Sequence, residues 1–141
     1  MTASPSSRRP GRSAFAVLAG IVAIFVLSLG TDAALHATGI FPGWGQPMSD
    51  LLFALATAYR IPFQVLGCYL TARLAPDRPM AHALAVGTVG LLLSTLGAVA
   101  TWNAGLGPHW YPILLVASSL PCAWTGGKLH GLGSTPRPGP A

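Results

Sequence analysis

Three residues in the first two apolar segments of the chain could take part in proton or ion chemistry. Asp32 and His36 are four positions apart, which places them one turn apart on one face of a helix. Arg60 follows Asp50, the start of the second apolar segment, by about ten residues, or roughly 15 Å along a helix. If these segments cross a bilayer, ionisable groups at such depth often mark ion or proton paths. Asp32, His36 and Arg60 therefore form a candidate polar cluster.

Several interpretations of this cluster remain open. A charged residue at the centre of a bilayer costs about 2.5–3.5 kcal/mol on insertion scales, so Arg60 is expected to face other helices and find a partner. Asp32 is the best partner, and an Asp32–Arg60 ion pair that fixes the register of two helices is the structural interpretation. The functional interpretation is a substrate or proton site that also uses His36 and opens outward. The third alternative is that each side chain extends separately to the nearer membrane interface.

The four histidines allow one further, remote hypothesis, a b-type haem held by a pair of imidazoles. His36 and His109 lie at one side of the apolar segments, whereas His82 and His130 lie at the other. His109 and His130 fall in loop or terminal positions without an evident second partner. We therefore expect histidines at the membrane interface and no cofactor.

The remaining reactive residues suggest no catalytic centre. Cys68 and Cys122 lack a C-x-x-C spacing and fall on the predicted cytoplasmic side, where thiols stay reduced, so we expect them to pack as small apolar residues without a disulfide. The sequence contains no metal-binding, phosphate-binding or nucleophile motif. Its three carboxylates leave little for acid–base chemistry, which favours a protein that is not an enzyme.

Composition indicates the environment that must surround these residues. Of 141 residues, 52% are hydrophobic and 8% charged, and the mean hydropathy is +0.57. A soluble domain carries roughly 25% charged residues, so most of this surface is expected to face a lipid bilayer. The net charge of +5 could suggest a nucleic-acid partner, but seven of the eight cations lie at the ends of or between the apolar segments. We therefore expect no nucleic-acid partner.

Four apolar stretches are long enough to cross a bilayer core of about 30 Å, which needs roughly 20 helical residues. We expect these spans at about 13–35, 50–74, 80–102 and 110–129. Because the links between them are short, the predicted fold is an all-α, antiparallel, up-down-up-down four-helix transmembrane bundle.

The spans define one transmembrane domain at residues 13–131, flanked by tails at 1–12 and 132–141. Both tails are rich in Ser, Pro, Gly or Arg and are expected to be disordered. The first span also has the basic flank of a signal peptide, but its uninterrupted apolar run at residues 14–30 favours an uncleaved anchor.

Loop charges predict the orientation of the bundle. The links at residues 39–47 and 103–109 contain no Lys or Arg. The cations at the other ends are therefore expected to be cytoplasmic, together with both termini. They are Arg8, Arg9, Arg12, Arg73, Arg78, Lys128 and Arg137. An excess of Arg over Lys and a high content of Ala, Gly and Pro suggest a bacterial genome, hence an inner-membrane location.

Small residues recur along the third span at spacings of four and three, which places them on one helical face. They are Ala83, Gly87, Gly90, Ser94, Gly97 and Thr101. Small side chains let membrane helices approach closely. We expect this face to pack against another helix of the same chain, with a contact between copies in a homo-oligomer as the alternative.

Two segments, TARLAPDRPMAHALAVGTVG and GPHWYPILLVASSLPCAWTGGKL, resemble small bacterial four-helix inner-membrane proteins. The resemblance covers residues 13–131 and implies the same architecture and location, but it brings no reaction, ligand or catalytic residue. The leading functional hypothesis is a non-enzymatic structural or accessory membrane subunit, within a homo-oligomer or a larger membrane complex. The alternative is a small transporter, or a proton- or ion-coupled permease component, that uses Asp32, His36 and Arg60.

Overall fold

The protein is all-helical over residues 9–134, the part of the chain that the computed structural model describes. Four α-helices follow one another in sequence, and no strand occurs in that range. They are α1 (Pro10–Ala37), α2 (Asp50–Leu74), α3 (Pro79–Thr101) and α4 (Trp110–Gly133). The prediction of an all-α protein with four helices is confirmed.

The start of α1 and the end of α4 differ from the predicted bounds. Pro10 stands in the first turn of α1, where its missing N–H costs no helical hydrogen bond and its fixed φ angle suits a helix. Residues 10–12 are therefore helical, and their assignment to a disordered tail was wrong. The same correction applies to residues 132–133, because α4 continues to Gly133. The remainder of both predicted tails, at 1–8 and 135–141, lies outside the described residues.

Three of the four helices, α1, α2 and α3, are long and apolar enough to cross a membrane. The fourth predicted span, in α4, has a similar length but is not among the helices that contain an 18-residue stretch of sufficient hydropathy. Large apolar side chains lie exposed on every helix, for example Phe15, Leu51, Val99 and Leu132. A bundle in water would bury such side chains, so this surface suits an apolar surrounding.

Adjacent helices in the chain pack in opposite directions. Gly20 near the start of α1 lies against Thr71 near the end of α2, whereas Asp32 near the end of α1 contacts Arg60. Helices α3 and α4 meet in the same antiparallel sense. Residues 38–49 and 102–109 therefore lie at one end of the molecule, which we call the loop end. The two loops are joined there by a backbone hydrogen bond of 3.0 Å from the Met48 N–H to the Leu106 carbonyl oxygen.

Helices α2 and α3 lie between α1 and α4. Each of these two central helices packs against all the others, whereas α1 and α4 do not touch within residues 9–134.

The half of the bundle away from the loop end is closed by direct backbone contact. A Cβ atom added to Gly20 would lie 2.7 Å from the carbonyl oxygen of Gly67, and one added to Gly67 would lie 2.8 Å from that of Gly20. Between α2 and α4, a Cβ atom on Gly126 would lie 2.6 Å from the Val65 carbonyl oxygen. Glycine is therefore required at these crossings, since any side chain would separate the helices.

The small-residue face of α3 packs against another helix over only part of its length. Ala83 is fully buried, and a Cβ atom on Gly87 would lie 3.2 Å from the Ser119 carbonyl oxygen of α4. In contrast, Gly97 and Thr101 are exposed, and a Cβ atom on Gly97 would meet nothing within 4 Å.

The predicted packing face is therefore corrected. Ala83, Gly87 and Gly90 contact neighbouring helices, whereas Ser94, Gly97 and Thr101 line a cavity at the loop end. The physical reason is a gap that separates the helices toward this end, so that small side chains face open space.

Candidate functional site

Asp32 is the centre of the polar contacts between α1 and α2. Its side chain is 9% exposed, and its Oδ2 atom accepts a hydrogen bond from the Nη2 atom of Arg60. Its Oδ1 atom accepts a second hydrogen bond, from the Tyr59 hydroxyl. This is the one ion pair of residues 9–134. The structure therefore brings together two members of the candidate cluster and adds a third partner, Tyr59.

Arg60 keeps unused hydrogen-bond donors beside this pair. A guanidinium group offers five N–H donors. The Nε atom of Arg60 is buried without a hydrogen-bond partner within residues 9–134. The Arg60 side chain is 30% exposed. The charge of Arg60 is thus balanced by Asp32, while part of its donor capacity remains free.

The loop end encloses a cavity of about 530 Å³, which we call the loop-end cavity. All four helices and both loops contribute to its wall. Asp32, His36 and Arg60 all line it, so the three predicted residues share one space. Most of the remaining wall is aromatic or aliphatic, with Phe41 and Tyr111 among the ring contributors. Such a wall, with few polar groups, is typical of a small-molecule site.

His36 does not contact the ion pair. Its Nδ1 atom bonds to the carbonyl oxygen of Pro42, so Nδ1 carries the proton, because a carbonyl oxygen can only accept. The imidazole ring stacks on Trp44 with 3.8 Å between ring centroids and meets the edge of Phe41. The 38–49 loop therefore fixes His36 on the cavity wall, away from Asp32.

A second imidazole repeats this arrangement on the other loop. The Nε2 atom of His109 lies 2.9 Å from the Trp102 carbonyl oxygen, to which it donates. The two rings stack with 4.4 Å between their centroids, and both line the loop-end cavity. Two histidine–tryptophan pairs thus line the cavity, one between the last turn of α1 and the 38–49 loop and one within the 102–109 loop.

A smaller cavity of about 170 Å³ lies between α1 and α3, and we call it the α1–α3 groove. Its floor is formed by Arg60 and Gln64 of α2 together with Ser94 of α3. Phe25 and Leu93, on its two walls, are 48% and 45% exposed. Because these wall residues are exposed, the groove opens on the outer surface of the bundle, and Leu115 of α4 also lines it. Arg60 and Ser94 line both cavities, so the two spaces meet at these residues.

The other candidate ligands are separated from this site. His82 lies on α3 with its Nδ1 atom 3.1 Å from the Arg78 carbonyl oxygen, and the His130 ring is next to Tyr69. Cys68 and Cys122 are buried and free. Within the described part of the chain, no group of three or more His, Cys, Asp or Glu residues could hold a metal ion.

Sequence reasoning missed two polar residues of the site. Tyr59 precedes Arg60 in α2. Its hydroxyl donates a hydrogen bond to the carboxylate oxygen of Asp32 that Arg60 leaves unpaired. Gln64 lies four residues after Arg60, and that spacing places both side chains on one face of α2. This helical spacing was a usable signal for Gln64.

The fold and the site together define an all-α protein with three candidate membrane-spanning helices and a charged pair between two of them. Comparisons of the chain with protein-family models, with curated proteins and with solved structures find no match. The function of the protein must therefore be inferred from the geometry of its described residues.

Proposed function

We propose that the protein is a multi-pass membrane protein of the bacterial inner membrane that acts as a non-enzymatic structural or accessory subunit. The contact at Asp32 carries this proposal. Tyr59 and Arg60 occupy both oxygens of a shielded carboxylate and thereby join α1 to α2. A closed, locally neutral pair of this kind is suited to fixing helix register, since a slipped helix would leave two charges unpaired.

The distribution of cations supports cytoplasmic termini. Arg12, Arg73, Arg78 and Lys128 all lie at or near the helix ends opposite the loop end. The loop end contains no Lys or Arg in residues 38–49 or 102–109. Under the positive-inside rule, the loop end is the periplasmic side. Arg8 and Arg137, which the same hypothesis uses, lie outside the described residues.

Cysteine labelling tests insertion and orientation together. In a variant with Cys68→Ala and Cys122→Ala, single cysteines are introduced at Gln46 in one loop and at Asp77 in the α2–α3 turn. A membrane-impermeant maleimide added to spheroplasts should label position 46, and it should label position 77 only after permeabilisation. The reverse pattern would invert the orientation. Recovery of the chain in the soluble fraction would exclude membrane insertion.

A charge-neutralisation cycle tests the structural role. Asp32→Asn leaves the Arg60 charge unpaired, and Arg60→Gln leaves that of Asp32 unpaired. Each single variant should lower the thermal unfolding temperature and the monodisperse yield in detergent. The double variant, which removes both charges but retains polar side chains, should recover most of both losses. Additive losses in the double variant would contradict the structural role.

A small transporter or permease component is the second candidate, and the loop-end cavity favours it. The cavity gives Asp32, His36 and Arg60 a common opening toward one end of the bundle. In proteoliposomes containing a pH-sensitive dye, a proton-coupled carrier should acidify the interior under an imposed gradient. Asp32→Asn should abolish this flux at unchanged folded yield, whereas Asp50→Asn, outside the cavity, should not. Flux equal to that of protein-free liposomes would exclude proton conduction.

A further inference from the structure

We propose that the α1–α3 groove binds the chain of a single-chain amphiphile from the bilayer, with an uncharged acceptor oxygen of its head bonded to Arg60. The proposal rests on the membrane insertion proposed above. It adds a ligand site, a ligand class and a route of entry to that function.

The walls of the groove indicate an apolar chain as the occupant. Phe25 and Leu29 of α1 and Val89 and Leu93 of α3 border the opening. In a bilayer, this opening would face acyl chains, because Phe25, Leu29 and Leu93 are exposed on the outer surface. The volume of about 170 Å³ is below the roughly 300–1,000 Å³ of sites that enclose whole ligands. It therefore suits a segment of a chain whose remainder stays in the membrane.

The floor of the groove requires a polar head. Arg60 has free donors there, and neither Gln64 nor Ser94 has a side-chain hydrogen-bond partner within residues 9–134. Unpaired polar groups are costly where no water is present, and a groove open to lipid supplies water only from the loop-end cavity. An acceptor oxygen placed beside Arg60 would satisfy these donors directly.

The charge of the site favours an uncharged head. Asp32 already balances Arg60, so the floor has no net charge. A carboxylate or phosphate head would bring an unbalanced anion into a poorly solvated site, and an ammonium head would bring an unbalanced cation beside the Arg60 guanidinium. Ester, ketone and hydroxyl oxygens accept hydrogen bonds without adding a charge.

The junction with the loop-end cavity distinguishes this groove from an ordinary lipid-facing surface. Arg60 and Ser94 line both spaces. A head bound at Arg60 therefore lies between lipid on one side and the loop end on the other.

Photo-crosslinking in phosphatidylcholine vesicles tests the proposal with the full chain. The probe is the methyl ester of palmitate with a diazirine in its chain, and cross-linked residues are located by mass spectrometry. We expect adducts to be concentrated at Phe25, Leu29, Val89 and Leu93. Adducts spread evenly over exposed residues remote from the groove, such as Leu18 and Val99, would overturn the proposal.

Two α3 variants provide the specific test and its control. Ser94→Phe fills the junction of the two cavities and should abolish the groove adducts. Thr95→Phe makes a comparable change at an exposed neighbour outside both cavities and should leave them unchanged. If Ser94→Phe unfolds the protein, Val89→Phe fills the groove from its half-exposed wall instead. Equal adduct yields in the wild type and in a folded filled variant would refute the site.

Head-group selectivity and flotation complete the experiment. The free acid and a trimethylammonium analogue of the probe should give lower groove yields than the ester. Stronger labelling by the acid would overturn the uncharged head, and equal labelling by the ammonium analogue would exclude the contact with Arg60. Vesicle flotation of the same sample separates the two proposals. Failure to float refutes membrane insertion, whereas flotation without groove adducts refutes the ligand site alone.

Discussion

The Tyr59 hydroxyl donates a hydrogen bond to Asp32, the carboxylate that also pairs with Arg60. Two consecutive residues of α2 therefore bind the two oxygens of one side chain on α1. Each oxygen of this shielded carboxylate therefore has its own hydrogen-bond donor. Tyr59 is thus part of the contact that sets the register between these helices.

Replacing Tyr59 by Phe should destabilise the bundle. The change removes one donor and leaves Oδ1 of buried Asp32 without its partner, which costs about 1–3 kcal/mol for a buried group. Thermal or denaturant unfolding in detergent measures the loss. Tyr69→Phe is the matched control, because the Tyr69 ring contacts His130 and its hydroxyl has no hydrogen-bond partner in the described range. Equal losses in the two variants would contradict the role of Tyr59.

Gly20→Ala should destabilise the α1–α2 contact. The added Cβ atom would lie 2.7 Å from the Gly67 carbonyl oxygen and would overlap Thr71, so the helices must separate. Such overpacking costs about 1–3 kcal/mol. Gly30→Ala lies on the same helix with nothing within 4 Å of the new Cβ atom, and it should be neutral or stabilise through helix propensity. A destabilised Gly30→Ala variant would argue against the assigned faces of α1.

Most of the fold could be predicted from the sequence because helix length and apolar content are local properties. The start of α2 at Asp50 agrees with the predicted bound, and α3 begins at Pro79, one residue before its predicted start. The early start of α1 at Pro10 was missed because basic and polar residues there have the composition of a tail. Helix formation across Gly11, Arg12 and Ser13 is supported by the long helix that follows them.

The two native thiols should resist modification until the protein unfolds. Cys68 and Cys122 are buried among the small residues where α2, α3 and α4 meet. A maleimide added to the folded protein in detergent should therefore modify neither residue, and both should react after denaturation. Gln46→Cys places a thiol at an exposed position of the 38–49 loop and should react at once. Rapid labelling of either native cysteine in folded protein would show that this half of the bundle opens.

The purified protein should contain no haem. The imidazoles of His36 and His109 each donate a hydrogen bond from one ring nitrogen to a carbonyl oxygen. Each ring also stacks on a tryptophan, which holds it against the adjacent loop. An absorption spectrum should show no Soret band, and addition of hemin should produce none that depends on these residues. A Soret band that disappears in both His36→Ala and His109→Ala would establish a bis-histidine site.

The site could be predicted only in part, because it depends on distances between helices. Opposite charge in neighbouring spans was enough to suggest that Asp32 and Arg60 meet, and the structure brings them together. The separation of His36 from this pair follows from the turn after α1, where Pro42 and Trp44 hold the imidazole. A one-turn spacing fixes the helical face of a residue, but it does not fix the direction of a side chain at a helix end.

The two halves of the α3 face should respond differently to the same substitution. Gly87→Ala adds a Cβ atom against Ala123 and close to the Ser119 carbonyl oxygen, so it should lower the unfolding temperature. Gly97→Ala adds one into open space and should be tolerated or stabilising. If the exposed half instead contacts a second copy, Gly97→Leu should reduce the oligomer mass measured by light scattering in detergent. An unchanged mass would indicate that Gly97 faces the cavity or lipid and would exclude it from a contact between copies.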